Sequence, residues 1–152
     1  MKGYKFDEHG DIVPVDVYIV WGAPASGKST YIKEHMKLGD LIVDLDLIKQ
    51  SISLQEKTET DDALLPVALS IRDHIYELIE RRDIECDCWV VAGLPNKDER
   101  ERLARKLKTD KLIFIDATHD ICIQQAMNDR SRKDKGKQRK IIDKWFKQYY
   151  CE

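Results

Sequence analysis

Short apolar runs alternate with longer segments of helical periodicity along the sequence. Four runs are largely apolar, and the one at 88–93 is apolar throughout, as buried parallel strands are; they predict strands at 15–21, 41–44, 88–93 and 111–116. The alternation of strands with helices indicates right-handed β-α-β units. The predicted fold is therefore α/β, with three α/β/α layers around a mainly parallel sheet of four to five strands.

The segments between these strands have the spacing or the charge of surface helices. The clearest covers 63–82, where apolar residues recur at alternating steps of four and three and form a stripe that we assign to the core. Other helices are predicted at 28–37, for a turn or two at 45–52, from 96 or 98 to 108, and at 118–128 and 140–150. Residues 1–14 have neither pattern, and we expect a loose or edge segment there.

The length of the chain favours a single domain spanning 1–152, because 152 residues can bury one core and no repeat or linker interrupts them. No apolar run approaches the roughly 18 residues of a membrane span, and the N-terminal residues lack the features of a secretory signal. We therefore expect a cytoplasmic protein without a membrane partner. The four cysteines are scattered, and we expect reduced thiols rather than disulfides or a metal cage.

Residues 22–29, with the sequence GAPASGKS, match the pattern G-x-x-x-x-G-K-S/T between a predicted strand and a predicted helix. In that context a glycine loop cradles phosphate groups, because successive N–H groups and the helix dipole favour an anion. Lys28 would reach the β- and γ-phosphates, and the Ser29 hydroxyl would bind Mg²⁺. A structural glycine turn is the alternative. The expected nucleotide contacts are Gly22, Ala23, Ala25, Ser26, Gly27, Lys28, Ser29 and Thr30.

The second predicted strand leads into a D-x-D pair, Asp44 and Asp46. Ligands of open α/β sheets bind at the carboxyl ends of the strands, and extended residues two apart point to the same side, so both carboxylates can face a phosphate site. Lys49 follows Asp46 by three residues and would share its helical face. We interpret Asp46 as the base that accepts an acceptor proton, Asp44 as a metal-shell residue and Lys49 as a positioning cation. The alternative is a capping Asp46 and a solvated lysine.

The segments GAPASGKSTYIKEH and IVDLDLIKQSI resemble the phosphotransferase domain of phage-type polynucleotide 5′-hydroxyl kinases. The resemblance implies a P-loop NTPase fold, ATP with Mg²⁺ as the phosphate donor, Asp46 as general base and Lys49 in the place of a substrate-contacting arginine. The D-x-D pair also resembles that of shikimate- and gluconate-type small-molecule kinases. The wider span, with WVVAGLP, is similar to small P-loop proteins of phage and prophage genomes, which implies a partner in phage DNA processing.

The third predicted strand ends in VVAGLP and carries no carboxylate. Motor ATPases need an acid at that strand end to organise the metal and the attacking water, so its absence argues against a motor. Asp44 is then the main carboxylate available to the outer shell of a metal ion.

A basic segment follows the fourth predicted strand and its helix. Residues 130–147 carry nine Lys or Arg and two Asp. We expect a lid over the donor phosphates at about 129–140, with Arg130, preferred because it continues the preceding helix, and Arg132 as its arginines, and with Gly136 as a flexible point. A nucleic-acid track and a solvated linker are the alternatives. The aromatic residues beyond it, at 145–150, are expected to pack the last helix onto the sheet.

Together these patterns predict an ATP-dependent phosphotransferase whose acceptor is a hydroxyl, with a polynucleotide or nucleotide 5′-hydroxyl as the leading acceptor and a small metabolite as the second. An accessory ATPase or NTP-binding protein in phage DNA processing is the main alternative. A non-catalytic nucleic-acid module is a third, and it would leave the glycine loop without a purpose.

Overall fold

The computed structural model describes residues 1–56 and 62–151. From residue 17 onward its strands and helices alternate in the predicted order. The strands are β1 (Tyr4–Phe6), β2 (Ile12–Pro14), β3 (Val17–Trp21), β4 (Leu41–Val43), β5 (Cys88–Ala92) and β6 (Lys111–Phe114). The helices are α1 (Lys28–His35), α2 (Leu45–Ser53), α3 (Leu65–Glu80), α4 (Lys97–Leu107), α5 (His119–Asn128) and α6 (Lys135–Tyr149), and a 3-10 turn at Asp62–Leu64 precedes α3.

The main sheet is parallel throughout and has four strands among the described residues, in the order β4-β5-β3-β6. Ile19 at the centre of β3 is paired with Val90 of β5 and Leu112 of β6. The mixed α/β architecture with a parallel sheet is therefore as the sequence predicts. Because the strands are parallel, all four carboxyl ends lie at one edge of the sheet.

Helices pack against both faces of this sheet. On one face Ile19 and Val90 contact a fully buried cluster that includes Ile79 at the end of α3 and Leu107 at the end of α4. On the other face the neighbouring residue Val20 belongs to a cluster with Trp89 and with Ile32 of α1. Because both faces of the sheet are covered, the strands are apolar at nearly every position.

The N-terminal segment differs from its prediction. Instead of a loose or edge segment, β1 and β2 form an antiparallel hairpin outside the main sheet. The Gly3 N–H donates to the Ile84 carbonyl at 2.7 Å. The Asp87 carboxylate accepts from the Asp16 N–H at 2.8 Å and from the Lys5 ammonium. These contacts join residues more than 70 positions apart, so local periodicity could not reveal them.

Helix α6 begins at Lys135, five residues before its predicted start. The Asp134 carboxylate caps it by accepting from the Lys137 N–H, and the Lys135 ammonium donates to the carbonyls of Ala126 and Asp129 at the end of α5. Gly136 therefore lies in the first turn of a helix, and its prediction as a flexible point within a loop is wrong. Half of the expected lid is helix.

The aromatic residues of α6 pack as expected at the inner positions. Trp145 and Phe146 are buried. The ring of Tyr149 stacks on Trp145, with 5.0 Å between centroids, and lies 6.3 Å from Trp21 of β3. Tyr150 is exposed. Among the described residues, no helix is both long and apolar enough to cross a membrane.

One guanidinium group ties the carboxyl ends of α3 and α4 together. Arg82 donates from Nη1 to the carbonyls of Ile79 at 2.6 Å and Leu107 at 2.9 Å, and from Nη2 to the carbonyl of Lys108 at 2.8 Å. The last carbonyls of a helix have no partner within its regular hydrogen bonding, and Arg82 donates to such groups on both helices at once; the Ile79 carbonyl also accepts from the Arg82 N–H at 3.0 Å.

Replacing Arg82 by alanine should therefore lower the free energy of unfolding by about 2 kcal/mol, since charge-assisted hydrogen bonds to three carbonyls are lost, including those to Leu107 and Lys108 across the two helix ends. Urea denaturation measures this. Arg81→Ala is the matched control, because Arg81 is exposed and its nearest acidic oxygen, on Asp83, is 3.6 Å away. A control that costs as much as Arg82→Ala would contradict the assignment.

Candidate functional site

A cavity of about 540 Å³ opens at the carboxyl edge of the sheet. Its walls come from the segment after β3, the start of α2, the middle of α3, the end of β5 and the end of α5. This is where ligands of open α/β sheets bind. The lining residues are Pro24, Ala25, Ser26, Gly27, Lys28, Ser29, Thr30, Asp44, Leu45, Asp46, Arg72, Tyr76, Val91, Ala92, Gly93, Leu94, Gln125, Asp129 and Arg132.

The glycine loop needs glycine at Gly22 for two reasons. Its φ is +152°, and a Cβ added there would lie 2.8 Å from the Ile115 carbonyl oxygen and 3.1 Å from Ser26 Oγ. At Gly27 the φ is +107°, but a Cβ would meet nothing within 4 Å. Gly27 precedes α1 and gives it no side-chain cap. The first N–H groups of α1, at Lys28, Ser29 and Thr30, thus lack intrahelical acceptors beside the cavity.

Lys28 is held against the loop itself. Its ammonium donates to the carbonyls of Gly22 at 2.8 Å and Ala23 at 2.7 Å. Burial lowers the pKa of Lys28 to about 8, while the charge of Asp44 acts to raise it and that of Arg132 to lower it further. An ammonium has three donors, so one remains for a ligand in the cavity.

The Ser26 hydroxyl is buried and has no hydrogen-bond partner among the described residues. A hydroxyl without water or a partner costs free energy in the folded state, so such groups are uncommon. Ser26 lies on the cavity wall between the two glycines of the loop. The Ser26 hydroxyl can therefore donate a hydrogen bond to an acceptor group of a ligand in the cavity.

The D-x-D pair lies at the carboxyl end of β4, as the strand-end rule predicts. Asp44 Oδ1 accepts from the Asp46 N–H at 3.0 Å, which makes Asp44, and not Asp46, the capping residue of α2. Both aspartates line the cavity. The Lys49 ammonium lies 3.8 Å from Asp46 Oδ1, so the two share a helical face, but Lys49 is not among the described residues that line the cavity. No cluster of three or more His, Cys, Asp or Glu that could hold a metal occurs within 1–56 and 62–151.

Of the two candidate lid arginines, Arg132 reaches the cavity. Its Nε donates to Asp129 Oδ2 at 3.1 Å and its Nη1 to Gln138 Oε1 at 2.6 Å, and its side chain is 16% exposed. Hydrogen bonds from Ser131 and the charge of Arg132 hold the pKa of Asp129 below its usual range. Arg130 is exposed and does not line the cavity. The expectation that Arg130 continues the preceding helix is wrong, because α5 ends at Asn128.

Sequence patterns missed three residues that shape the site. Gln138 is buried and orients Arg132 from the second turn of α6. Arg72 and Tyr76 reach the cavity from one face of α3, four residues apart. Each follows a residue of the apolar stripe of α3 in the sequence. A polar pair spaced four residues apart beside a core stripe is the sequence feature that could have predicted their role. The end of β5 brings only Val91, Ala92, Gly93 and Leu94, without a carboxylate.

Comparison with protein-family models finds no matching family. A search of curated proteins finds no match of significance. The likeness of residues 22–52 to polynucleotide kinases therefore rests on the motif residues themselves. What the cavity can do is inferred from its own side chains and backbone groups.

The cradle around Gly22 gives a direct stability test. Gly22→Ala should lower the free energy of unfolding by about 2 kcal/mol or more, because the new Cβ overlaps the Ile115 carbonyl as well as straining the backbone. Gly27→Ala is the control, with a positive φ and open space, and should cost only the backbone strain, about 1 kcal/mol. Thermal or urea denaturation measures both. Equal losses would show that the loop does not need the close approach at Gly22.

Proposed function

We propose that this protein is an ATP-dependent phosphotransferase of the P-loop kinase class, which transfers the γ-phosphate of ATP to the 5′-hydroxyl of a polynucleotide or nucleotide. One observation carries the proposal. A single cavity combines a glycine loop, the uncapped start of α1, the buried ammonium of Lys28 and the carboxylates of Asp44 and Asp46. These are the groups that phosphoryl transfer from a nucleotide requires.

The loop side of the cavity fits the phosphate groups of a nucleotide. The N–H groups of Lys28, Ser29 and Thr30 and the positive end of the α1 dipole favour an anion. Lys28 adds a full charge, and the unpaired Ser26 hydroxyl adds a donor. A triphosphate therefore offers acceptors to groups that otherwise lack them.

Ser29 and Asp44 are the residues that would hold Mg²⁺, directly or through water, beside the phosphates. When bound, such an ion would supply positive charge that offsets the charge developing on the phosphates. Asp44 also fixes the start of α2 by capping it, so the same carboxylate that would hold the metal sets the position of Asp46.

Asp46 is the proposed general base. It lies in the first turn of α2 and lines the cavity, and its side chain is about half exposed, so an acceptor can approach it. In the transfer, the acceptor oxygen forms a bond to the γ-phosphorus, the bond from that phosphorus to the β-γ bridging oxygen breaks, and the acceptor proton moves to Asp46. ADP and the phosphorylated acceptor leave.

Arg132 is the proposed second cation at the transferring phosphate. Asp129 and Gln138 hold its guanidinium before any ligand binds, so little reorganisation is needed when charge develops. The choice of a 5′-hydroxyl acceptor comes from the resemblance of residues 22–52 to polynucleotide kinases. The choice of a kinase over a motor ATPase is supported by the absence of a carboxylate at the end of β5.

The test is transfer of label from γ-labelled ATP with Mg²⁺ to 5′-hydroxyl DNA and RNA oligonucleotides, with a pool of small alcohols and nucleosides alongside. Wild-type protein should label an oligonucleotide 5′ end. Lys28→Ala should abolish transfer, because the charge on the loop is lost. Asp46→Asn should cut transfer by roughly 10² to 10⁴, the range for a general base, with ATP affinity nearly unchanged.

Asp110→Asn is the matched control, since Asp110 is exposed in the turn before β6 and should leave transfer at the wild-type rate. Label on a small molecule would keep the mechanism and replace the acceptor. Free phosphate without a labelled acceptor would contradict the kinase proposal and favour an accessory ATPase. Unchanged transfer by Asp46→Asn would remove Asp46 as the base.

A further inference from the structure

A second cleft of about 610 Å³ is lined mainly by α3 and α4 and adjoins the cavity at the glycine loop. The two share four residues of their walls: Arg72, Tyr76, Ala92 and Leu94. The shared part is formed by α3 and the end of β5, and none of the α5-side residues of the first cavity, Gln125, Asp129 and Arg132, lines the second cleft. A ligand in this cleft would therefore reach the phosphate site from the side of α3.

Tyr76 is the buried polar group at this junction. It is 6% exposed, it lines both spaces, and its hydroxyl has no hydrogen bond to any described residue. Burial raises the pKa of Tyr76, so the hydroxyl keeps its proton and can donate. Among the described residues only Ser26 Oγ is fully enclosed and unpaired, so the Tyr76 hydroxyl, although its ring is buried, stays accessible and can donate to a ligand in the shared part of the two spaces.

Arg72 lies beside it, one helical turn earlier. Its guanidinium carbon is 5.2 Å from the centre of the Tyr76 ring, and its Nη2 and Nε donate to Asp73 Oδ1 at 3.0 and 3.3 Å. Asp73 and the ring thus fix the plane of the guanidinium. Its remaining donors have no partner among the described residues and can bind an anionic oxygen.

The charges around the cleft limit how large an anion it accepts. Arg72 on α3 faces Arg102 and Lys106 on α4, and Lys106 is already paired with Glu80 at 3.2 Å. Three carboxylates, those of Asp73, Glu77 and Glu99, line the same cleft. The balance is near zero, which suits one anionic group beside Arg72 rather than a long polyanion.

From these contacts we infer that the α3–α4 cleft receives the acceptor, with Arg72 binding the first phosphodiester beside the acceptor hydroxyl and Tyr76 donating a hydrogen bond to the same end of the acceptor. The inference rests on the proposed function. Arg72, and not Lys49, is then the cation at the acceptor, because Arg72 shares the cavity with Asp46 and Lys49 does not line it. Arg72 and Tyr76 are specificity-determining residues on this account.

The test measures KM for a 5′-hydroxyl oligonucleotide, kcat and the dissociation constant of ATP. Arg72→Ala should raise the acceptor KM about tenfold or more, the loss expected for a hydrogen bond to a charged group. Tyr76→Phe keeps the buried ring and should raise it by roughly threefold or more. Both should leave ATP affinity within about twofold of wild type. Arg105→Ala, an exposed arginine of α4 that lines neither space, is the matched control.

A second arm changes the acceptor. Replacing the first phosphodiester by a neutral methylphosphonate should raise KM for wild type and not for Arg72→Ala, because the variant has already lost that contact. The logarithm of KM should rise with that of salt concentration with a slope of about 0.7, the value for one phosphate on a single strand.

The outcomes separate the two levels of the proposal. A wild-type protein that labels neither an oligonucleotide nor a nucleoside contradicts the proposed function and, with it, this inference. Label on a nucleoside alone overturns only the inference. A wild-type protein that labels the oligonucleotide, with unchanged acceptor KM in both Arg72→Ala and Tyr76→Phe, overturns the inference alone. A salt slope near 3 would also overturn it, since it would indicate a track of several phosphates, such as the exposed lysines of α6.

Discussion

The buried ammonium of Lys28 is the constraint around which the carboxyl edge of the sheet is arranged. A charge removed from water is costly unless fixed dipoles or an opposite charge replace the solvent. Here two carbonyls of the preceding loop replace part of it, at 2.8 and 2.7 Å, and the pKa falls to about 8 because the replacement is incomplete. The close turn at Gly22 brings those carbonyls within reach of the ammonium. Only glycine fits at this position, because a Cβ would overlap the Ile115 carbonyl beside it.

Arg132 raises the cost of burying the Lys28 ammonium. Its charge acts on Lys28 in the direction that lowers the pKa, and it is itself fixed by Asp129 and Gln138. Two cations that face one cavity repel each other, so an anion placed between them relieves the repulsion of both. The carboxylate of Asp44 offsets part of this charge. Helix α6 contributes by position: Gln138 holds Arg132, and Trp145 donates to the Gly93 carbonyl at 3.0 Å, at the end of β5.

The parts of this arrangement that are local in sequence could be predicted, and those that depend on distant contacts could not. The strands β3, β4, β5 and β6 are apolar runs, and the parallel order places the glycine loop and the D-x-D pair at one edge without further information. The start of α6 was predicted five residues late, because the Lys135 ammonium caps the carbonyls of another helix and no periodicity records that.

The same reason explains the remaining differences. Arg72 and Tyr76 stand beside an apolar stripe that assigns α3 to the core, and only the packing of α3 on β5 reveals that they face the cavity. Which of Arg130 and Arg132 faces the cavity depends on where α5 ends, and it ends at Asn128. Helix ends are set by single capping contacts, here Asp134 with Lys137, and these are weaker signals than the repeats within the helices.

The dependence of Mg·ATP affinity on pH tests most directly whether Lys28 binds phosphate. Bound phosphate raises the pKa of the ammonium, so between about pH 8 and the bound pKa the free protein has lost a proton that the complex retains. Affinity should be constant below pH 8 and fall by up to about tenfold per pH unit above it. The free energy of unfolding of the ligand-free protein rises over the same pH range, because Lys28 in the unfolded chain keeps its proton up to its ordinary pKa of 10.5. In Lys28→Arg, which stays charged, affinity should show no such fall. A wild-type affinity that is unchanged from about pH 7 to pH 9.5, or the same fall in Lys28→Arg, would contradict the account.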